Sequence, residues 1–186
     1  APCITNASDD MVVSISLTPT ANAGADAGIC EDVSYTLTGA ASNYQTIQWS
    51  TSGDGSFDSD DILGATYTPS ANDRNTGLVT LTLTATPNTP CADNAVSSME
   101  LTVGQVPTAA AGDDQEICEG ETVSLVGNAT DYQNTLWSTS GDGTFDDATS
   151  LTAVYTPGAN DAIAGTVDLT LTANEILPCI TTASDD

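Results

Sequence analysis

Bases are nearly absent from this chain. Its 186 residues include a single one, Arg74, against 26 acids, with no lysine and no histidine, so the formal net charge is −25. A surface without cations cannot neutralise phosphates, which excludes nucleic acid as a partner. Anionic membrane surfaces are excluded on the same ground. Without histidine the commonest general base is missing, and without lysine so are Schiff-base chemistry and Lys–Asn isopeptide crosslinks. Paired aspartates can hydrolyse glycosides, but here they recur in near-identical copies between Thr-rich strands and read as structural. The expected catalytic set is none, and the chain is not an enzyme. Long apolar runs are also lacking, so no membrane-inserted segment is expected. The five cysteines form no CxxC pair, which with the lack of histidine argues against zinc. No secretory leader is visible. The chain opens Ala1-Pro2-Cys3 and reads as a mature product or a fragment of something longer.

What the sequence does contain, it contains twice. Cys30, Trp49 and Cys91 return 88 residues later as Cys118, Trp137 and Cys179. Trp49-Ser50-Thr51-Ser52-Gly53-Asp54-Gly55 returns unchanged at Trp137 to Gly143, and Tyr67-Thr68-Pro69 returns as Tyr155-Thr156-Pro157. That period is too long for a solenoid unit and suits a small domain.

Helix signals are missing. Short runs alternate instead with period two, as in Val33 to Leu37 and in Leu78 to Thr84, where Val79, Leu81 and Leu83 share one face and Thr the other. Turn clusters separate the runs at Gly39 to Asn43, Gly53 to Gly55, Pro69 to Gly77 and Pro87 to Pro90. This pattern predicts an all-β chain of tandem β-sandwiches, each with a core tryptophan, Trp49 or Trp137, near a disulfide. Cysteines at matching positions in both repeats predict one bond per domain, Cys30–Cys91 and Cys118–Cys179. Each closes a loop of about 60 residues, worth roughly 4 kcal/mol, and implies an oxidising compartment. Buried free thiols are the alternative. Cys3 is left unpaired or bonds across a subunit boundary.

The ends are out of register. Pro2-Cys3 aligns with Pro90-Cys91 and Pro178-Cys179, and Met11, Val13 and Ile15 align with Met99, Leu101 and Val103. Residues 1–18 therefore match the last strand of a repeat, 19–106 form repeat one, and 107–186 form repeat two without its last strand. In one reading the strand carrying Met11, Val13, Ile15 and Leu17 completes repeat two of a neighbour, which builds a head-to-tail homopolymer and covers an exposed sheet edge. In the others, the chain is a window on a longer repetitive polypeptide, or a monomer with a frayed end.

The series Ala23-Gly24, Asp26, Ile29-Cys30, Leu37, Gly39, Trp49 to Gly55, Phe57, Tyr67-Thr68-Pro69, Val79 to Ala85 and Cys91 resembles the immunoglobulin-like (PKD-like) tandem repeats of giant secreted adhesins and surface fibre proteins of Bacteroidota-type bacteria. The second copy matches 88 positions on, so the resemblance covers essentially the whole chain. It implies an extracellular or cell-surface location and a role as stalk, spacer or fibre.

Two readings of the acids stand side by side. They form a solubilising surface, or they hold Ca²⁺, a hard ion that takes six to eight oxygens. The calcium candidates are Asp54 and Asp58, with Asp142 and Asp146 in the second copy; Asp26 and Asp114 at the domain junctions; Asp73 and Asp161 in Ala-Asn-Asp loops; and the terminal pairs Asp9, Asp10, Asp185 and Asp186. Plain Asp-Gly hairpin and Asx turns explain the same residues. Asn6 and Asn128 match the glycosylation sequon. The function expected is a structural subunit of an extracellular, calcium-stabilised filament or adhesin stalk whose partners are identical subunits. The alternative is a carbohydrate-binding or adhesive module from a longer surface protein, with surface glycans as partners.

Overall fold

The computed structural model describes residues 6–186. Repeat one contains β1 (Thr20–Asn22), β2 (Ala27–Cys30), β3 (Tyr35–Thr36), β4 (Ala40–Ser42), β5 (Tyr44–Thr51), β6 (Ser56–Phe57), β7 (Thr66–Thr68), α1 (Ala71–Thr76), β8 (Leu78–Pro87) and β9 (Ala95–Gly104). Repeat two contains β10 (Thr108–Ala110), β11 (Val123–Ser124), β12 (Asn128–Thr130), β13 (Thr135–Thr139), β14 (Thr144–Phe145), β15 (Val154–Thr156), α2 (Ala159–Ala164), β16 (Leu169–Ala173) and β17 (Ala183–Asp185). The chain folds as two tandem immunoglobulin-like β-sandwiches. In repeat one the main sheet runs β2-β9-β8-β5 and faces β3-β7-β6, with β1-β4 beside them. Repeat two copies the last two sheets as β11-β15-β14 and β10-β12, but its main sheet is only β13-β16-β17.

Alternation builds the core. Val79, Leu81, Leu83 and Ala85 on β8 point inward with Met99, Leu101 and Val103 on β9, and all are buried. Trp49 on β5 fills the centre, and its indole N–H donates to the Ile62 carbonyl at 3.0 Å. Trp137 repeats this with the Ser150 carbonyl, also at 3.0 Å. An apolar body with its one polar atom satisfied is what allows a tryptophan to sit inside.

Three expectations need correction. The stretch from Pro69 to Gly77 is not merely a turn, for it holds α1. Ser70 caps α1 by accepting the Asp73 N–H at 3.0 Å, the Asp73 carboxylate accepts the Ser70 N–H in return, and Gly77 ends the helix in the left-handed region. The alternating run from Val33 to Leu37 forms a strand only over Tyr35–Thr36, with the Leu37 N–H adding one bond to the Ala65 carbonyl at 2.8 Å. The third correction is covalent. Neither Cys30–Cys91 nor Cys118–Cys179 forms, and Cys30 is bonded to Cys179, across the two domains, with Cα atoms 4.7 Å apart. Cys91 and Cys118 are free thiols. Strand length explains this. Cys91 lies in the loop that opens β9, and Cys30 pairs with Gly104 at the other end of that ten-residue strand. At about 3.3 Å per residue the two sulfurs stand at opposite ends of the domain, far beyond disulfide reach. The tryptophans therefore do not pack beside disulfides within their own domains.

Candidate functional site

The Gly-Asp-Gly turns are half of a polar lock. Asp73 is buried, and its carboxylate accepts the Tyr67 hydroxyl at 2.7 Å, the Ser70 N–H at 3.0 Å and the Asp54 N–H at 3.2 Å. Thr51 meets the same Tyr67 hydroxyl at 3.0 Å. A side chain on Gly53 would collide with the Asp73 carboxylate, and one on Gly55 would meet the Thr68 carbonyl at 2.6 Å, so the turn needs both glycines. Burial works against the charge on Asp73, but the converging donors outweigh it and hold its pKa below the ordinary carboxylate value. Burial, with Asp73 at its hydroxyl, pushes Tyr67 up to about 12. Repeat two rebuilds the lock from Thr139, Tyr155, Asp161 and the N–H groups of Asp142 and Gly158.

Contacts of this kind surround the other calcium candidates. Asp58 accepts the Ser59 and Thr66 N–H groups, each at 2.7 Å, and Asp146 accepts those of Asp147 and Val154 at the same distance. Asp54 takes the Ser70 hydroxyl, and Asp142 takes the side-chain amide of Asn160 at 2.9 Å. The carboxylates of Asp54, Asp58, Asp73, Asp142, Asp146 and Asp161 thus each accept at least one N–H or O–H donor. Among the described residues no three Asp, Glu, Cys or His side chains gather where a metal would fit. Asp9 accepts the Asp10 N–H at 3.1 Å, and Asp9, Asp10 and Asp186 are exposed. Asn6 is exposed, Asn128 is exposed on β12, and Cys3 lies outside the described residues. All nine aromatic side chains are buried or half-buried.

The acids near the junctions hold backbone. Asp26 accepts the Glu100 N–H of β9 at 2.8 Å, and Glu31 accepts the Val106 N–H at 3.2 Å. Between them β2 lies parallel to β9, with Ile29 opposite Val103 and Cys30 opposite Gly104, while Leu101 and Met99 pair with Val79 and Leu81 on β8. Repeat two carries the same holding set as Asp114, Ile117, Cys118, Glu119, Val167 and Leu169. Its β17 spans three residues and keeps the same register, with Ala173 opposite Ala183 as Ala85 is opposite Ala95. Asp185 even accepts the Ala111 N–H at 2.9 Å where Ser97 accepts that of Ala23. Among the described residues no strand pairs with residues 115–118. Residues 115–118 form no strand, Ile117 is 42% exposed where Ile29 is 8%, and Val167 and Leu169 are only partly covered.

The matching side chains lie unused elsewhere on the molecule. Met99, Leu101 and Val103 are at most 2% exposed, whereas Met11, Val13 and Ile15 are 85%, 68% and 87% exposed. Residues 6–19 form no strand and touch repeat one only at its far end, where the Asn43 side chain donates to the Thr18 carbonyl at 3.3 Å. Leu17, 67% exposed, aligns with Gln105, just past β9.

The junction inside the chain shows how domains stack. Pro178 sits over Gly28 and Gly104, where an added Cβ would meet it at 2.9 and 2.7 Å, and Cys179 beside it is fully buried and bonded to Cys30.

No protein-family model and no curated protein matches the chain. Solved structures share its fold. Protocadherin Gamma B2 extracellular cadherin domains 3-6 match with a TM-score of 0.52 at 12% identity, over 90% of this chain and 45% of that one. Human CDH23 EC21-23 matches with a TM-score of 0.53 at 13% identity, over 93% of this chain and 65% of that one. Human Protocadherin-24 EC1-2 matches with a TM-score of 0.52 at 9% identity, over 91% and 95%. The chain thus spans less than two thirds of the first two. At such identities the likeness concerns the fold, a tandem array of cadherin-type immunoglobulin-like sandwiches.

Proposed function

We propose that this chain is a structural subunit of an extracellular filament or adhesive stalk, joined head to tail by strand donation. One observation carries the reading. Met11, Val13 and Ile15 expose the apolar series that repeat one buries in β9, and repeat two retains Asp114, Ile117, Cys118, Glu119, Val167 and Leu169, the counterparts of six residues that hold β9. Transposing the register of repeat one sets Met11 against Leu169, Val13 against Val167 and Ile15 against Ile117 of a neighbour. Asp114 then accepts the Val12 N–H as Asp26 accepts that of Glu100. Burying the three side chains stabilises the contact by roughly 1.5–3 kcal/mol each, and the ladder supplies both edges of the strand with partners. A molecule cannot do this to itself, because Thr18 is held at the end of repeat one remote from repeat two. The disulfide and the likeness to extracellular domains support an oxidising, extracellular setting.

Cations enter at the seam. Asp9 and Asp10 align with Ser97 and Ser98, and Asp185 and Asp186 occupy the same positions in repeat two, so four carboxylates of two subunits converge. Their repulsion favours assembly in the presence of Ca²⁺ or of screening salt. Electron microscopy and sedimentation test the proposal. The full chain forms filaments with a two-domain repeat, and a variant lacking residues 1–18 stays a folded monomer. Filaments of equal length from that variant would refute strand donation.

A further inference from the structure

We propose that Cys118 of one copy forms a disulfide with Cys91 of the next, sealing each subunit boundary. This rests on the head-to-tail reading and adds a covalent site to it. Cys30–Cys179 joins the lower end of one domain to the β-hairpin loop at the upper end of the following one. The two free thiols are the same two positions, unpaired: Cys118 is the repeat of Cys30, and Cys91 precedes Cys179 by 88 residues. Cys118 therefore lacks an upper-end cysteine below it, and Cys91 lacks a lower-end cysteine above it. A second copy placed head to tail supplies both.

The structure already holds half of this boundary. Cys30 pairs with Gly104, and the Cys179 sulfur lies 3.4 Å from where a Gly104 Cβ would stand. The repeat of Gly104 in the donated strand is Ser16, and the Cys91 sulfur lies 3.6 Å from the Ser16 carbonyl and 3.8 Å from that of Leu17. The Ser16 hydroxyl also donates to the Thr89 carbonyl at 3.4 Å, fixing the strand against the loop that bears Cys91. When the strand enters a neighbour in the register of β9, Cys118 comes opposite Ser16, and so beside Cys91. Cys118 is exposed and Cys91 partly so, and both are reachable before assembly. Glu116 and Ser16 replace Gly28 and Gly104 at this boundary, so Pro90 seats less closely than Pro178 and leaves the new bond more open to reductant than the buried Cys179.

The chemistry is an oxidation. Two thiols give up two protons and two electrons and form one S–S bond, while a low-molecular-weight disulfide such as oxidised glutathione takes them up and leaves as two thiols. The test assembles the full chain with oxidised glutathione and runs it under denaturing, non-reducing conditions beside microscopy of the same sample. A ladder of covalent multimers is expected, with a Cys91–Cys118 peptide on mapping and loss of the ladder at reductant levels that spare Cys30–Cys179. Cys91→Ser and Cys118→Ser each abolish the ladder, and their mixture yields covalent dimers and nothing longer. Filaments without crosslinks, or crosslinks through Cys3, would overturn the disulfide alone. Crosslinks and filaments both absent would overturn it together with the head-to-tail reading.

Discussion

Asp73 shows how one buried residue organises a domain. Its carboxylate joins α1 to Tyr67 on the adjacent β7 and to the Gly-Asp-Gly turn nineteen residues before it. Asp73→Asn keeps the shape but replaces an acceptor with a donor facing N–H groups. It should cost repeat one about 1–3 kcal/mol, read as a lower thermal midpoint. The pH dependence follows from the direction of each shift. The pKa of Asp73 is lower folded than its ordinary 3.8, so its contribution is complete above that value and disappears as the pH falls below it. Tyr67 is raised from 10.0 to about 12, so its contribution is complete below pH 10 and is lost between those two values. Acid and alkaline unfolding followed by Trp fluorescence should show both edges. Asp73→Asn should flatten the acid one, and an unchanged acid edge would remove Asp73 from the account.

At the scale of elements, the decisive object is the strand that repeat one owns as β9 and that, on the proposed assembly, repeat two receives from a neighbour. Its inner face is apolar over Met11, Val13 and Ile15. Val13→Asp places a charge where Leu101 is fully buried in repeat one, and a buried unpaired carboxylate costs far more than the lost methyls. Filament formation should cease while the domains keep their melting temperatures, because Val13 supports neither domain from within its own chain. A fall in domain stability instead would place the strand inside the monomer. Elements also show where sequence reading succeeds and where it stops. β8 was legible because Val79, Leu81 and Leu83 alternate with threonine, and burial follows that alternation. α1 was not, because its one buried residue is Asp73, so a six-residue helix held by polar groups leaves no apolar stripe to detect. The glycines of the Gly-Asp-Gly turn were visible as a signal, yet their cause, the Asp73 carboxylate, lies about twenty residues away and needs the fold to be seen. The disulfide was misread because equal spacing in two repeats fits pairing within a domain as well as pairing to the next, and only the ten-residue length of β9 separates the two.

For the whole molecule, the proposed assembly brings a net charge of −25 together with its like in every subunit added. Assembly should therefore speed up with ionic strength. Comparing calcium chloride with sodium chloride at equal ionic strength separates coordination from screening. A large excess effect of calcium on filament growth, removed by Asp10→Asn or Asp186→Asn, locates the ion at the seam. An excess effect on the melting of the isolated domains would place it instead at carboxylates that the fold already occupies with N–H and O–H donors.

The central claim is that repeat two has a receptor for residues 11–18. It is tested most directly by titrating a peptide of that sequence, Met11 to Thr18, into the variant lacking residues 1–18, with amide hydrogen exchange as the readout. The account predicts one peptide bound per molecule, with slowed exchange confined to residues 115–119 and 165–169 and weakened binding in Asp114→Ala. No binding, or protection located in repeat one, would contradict it.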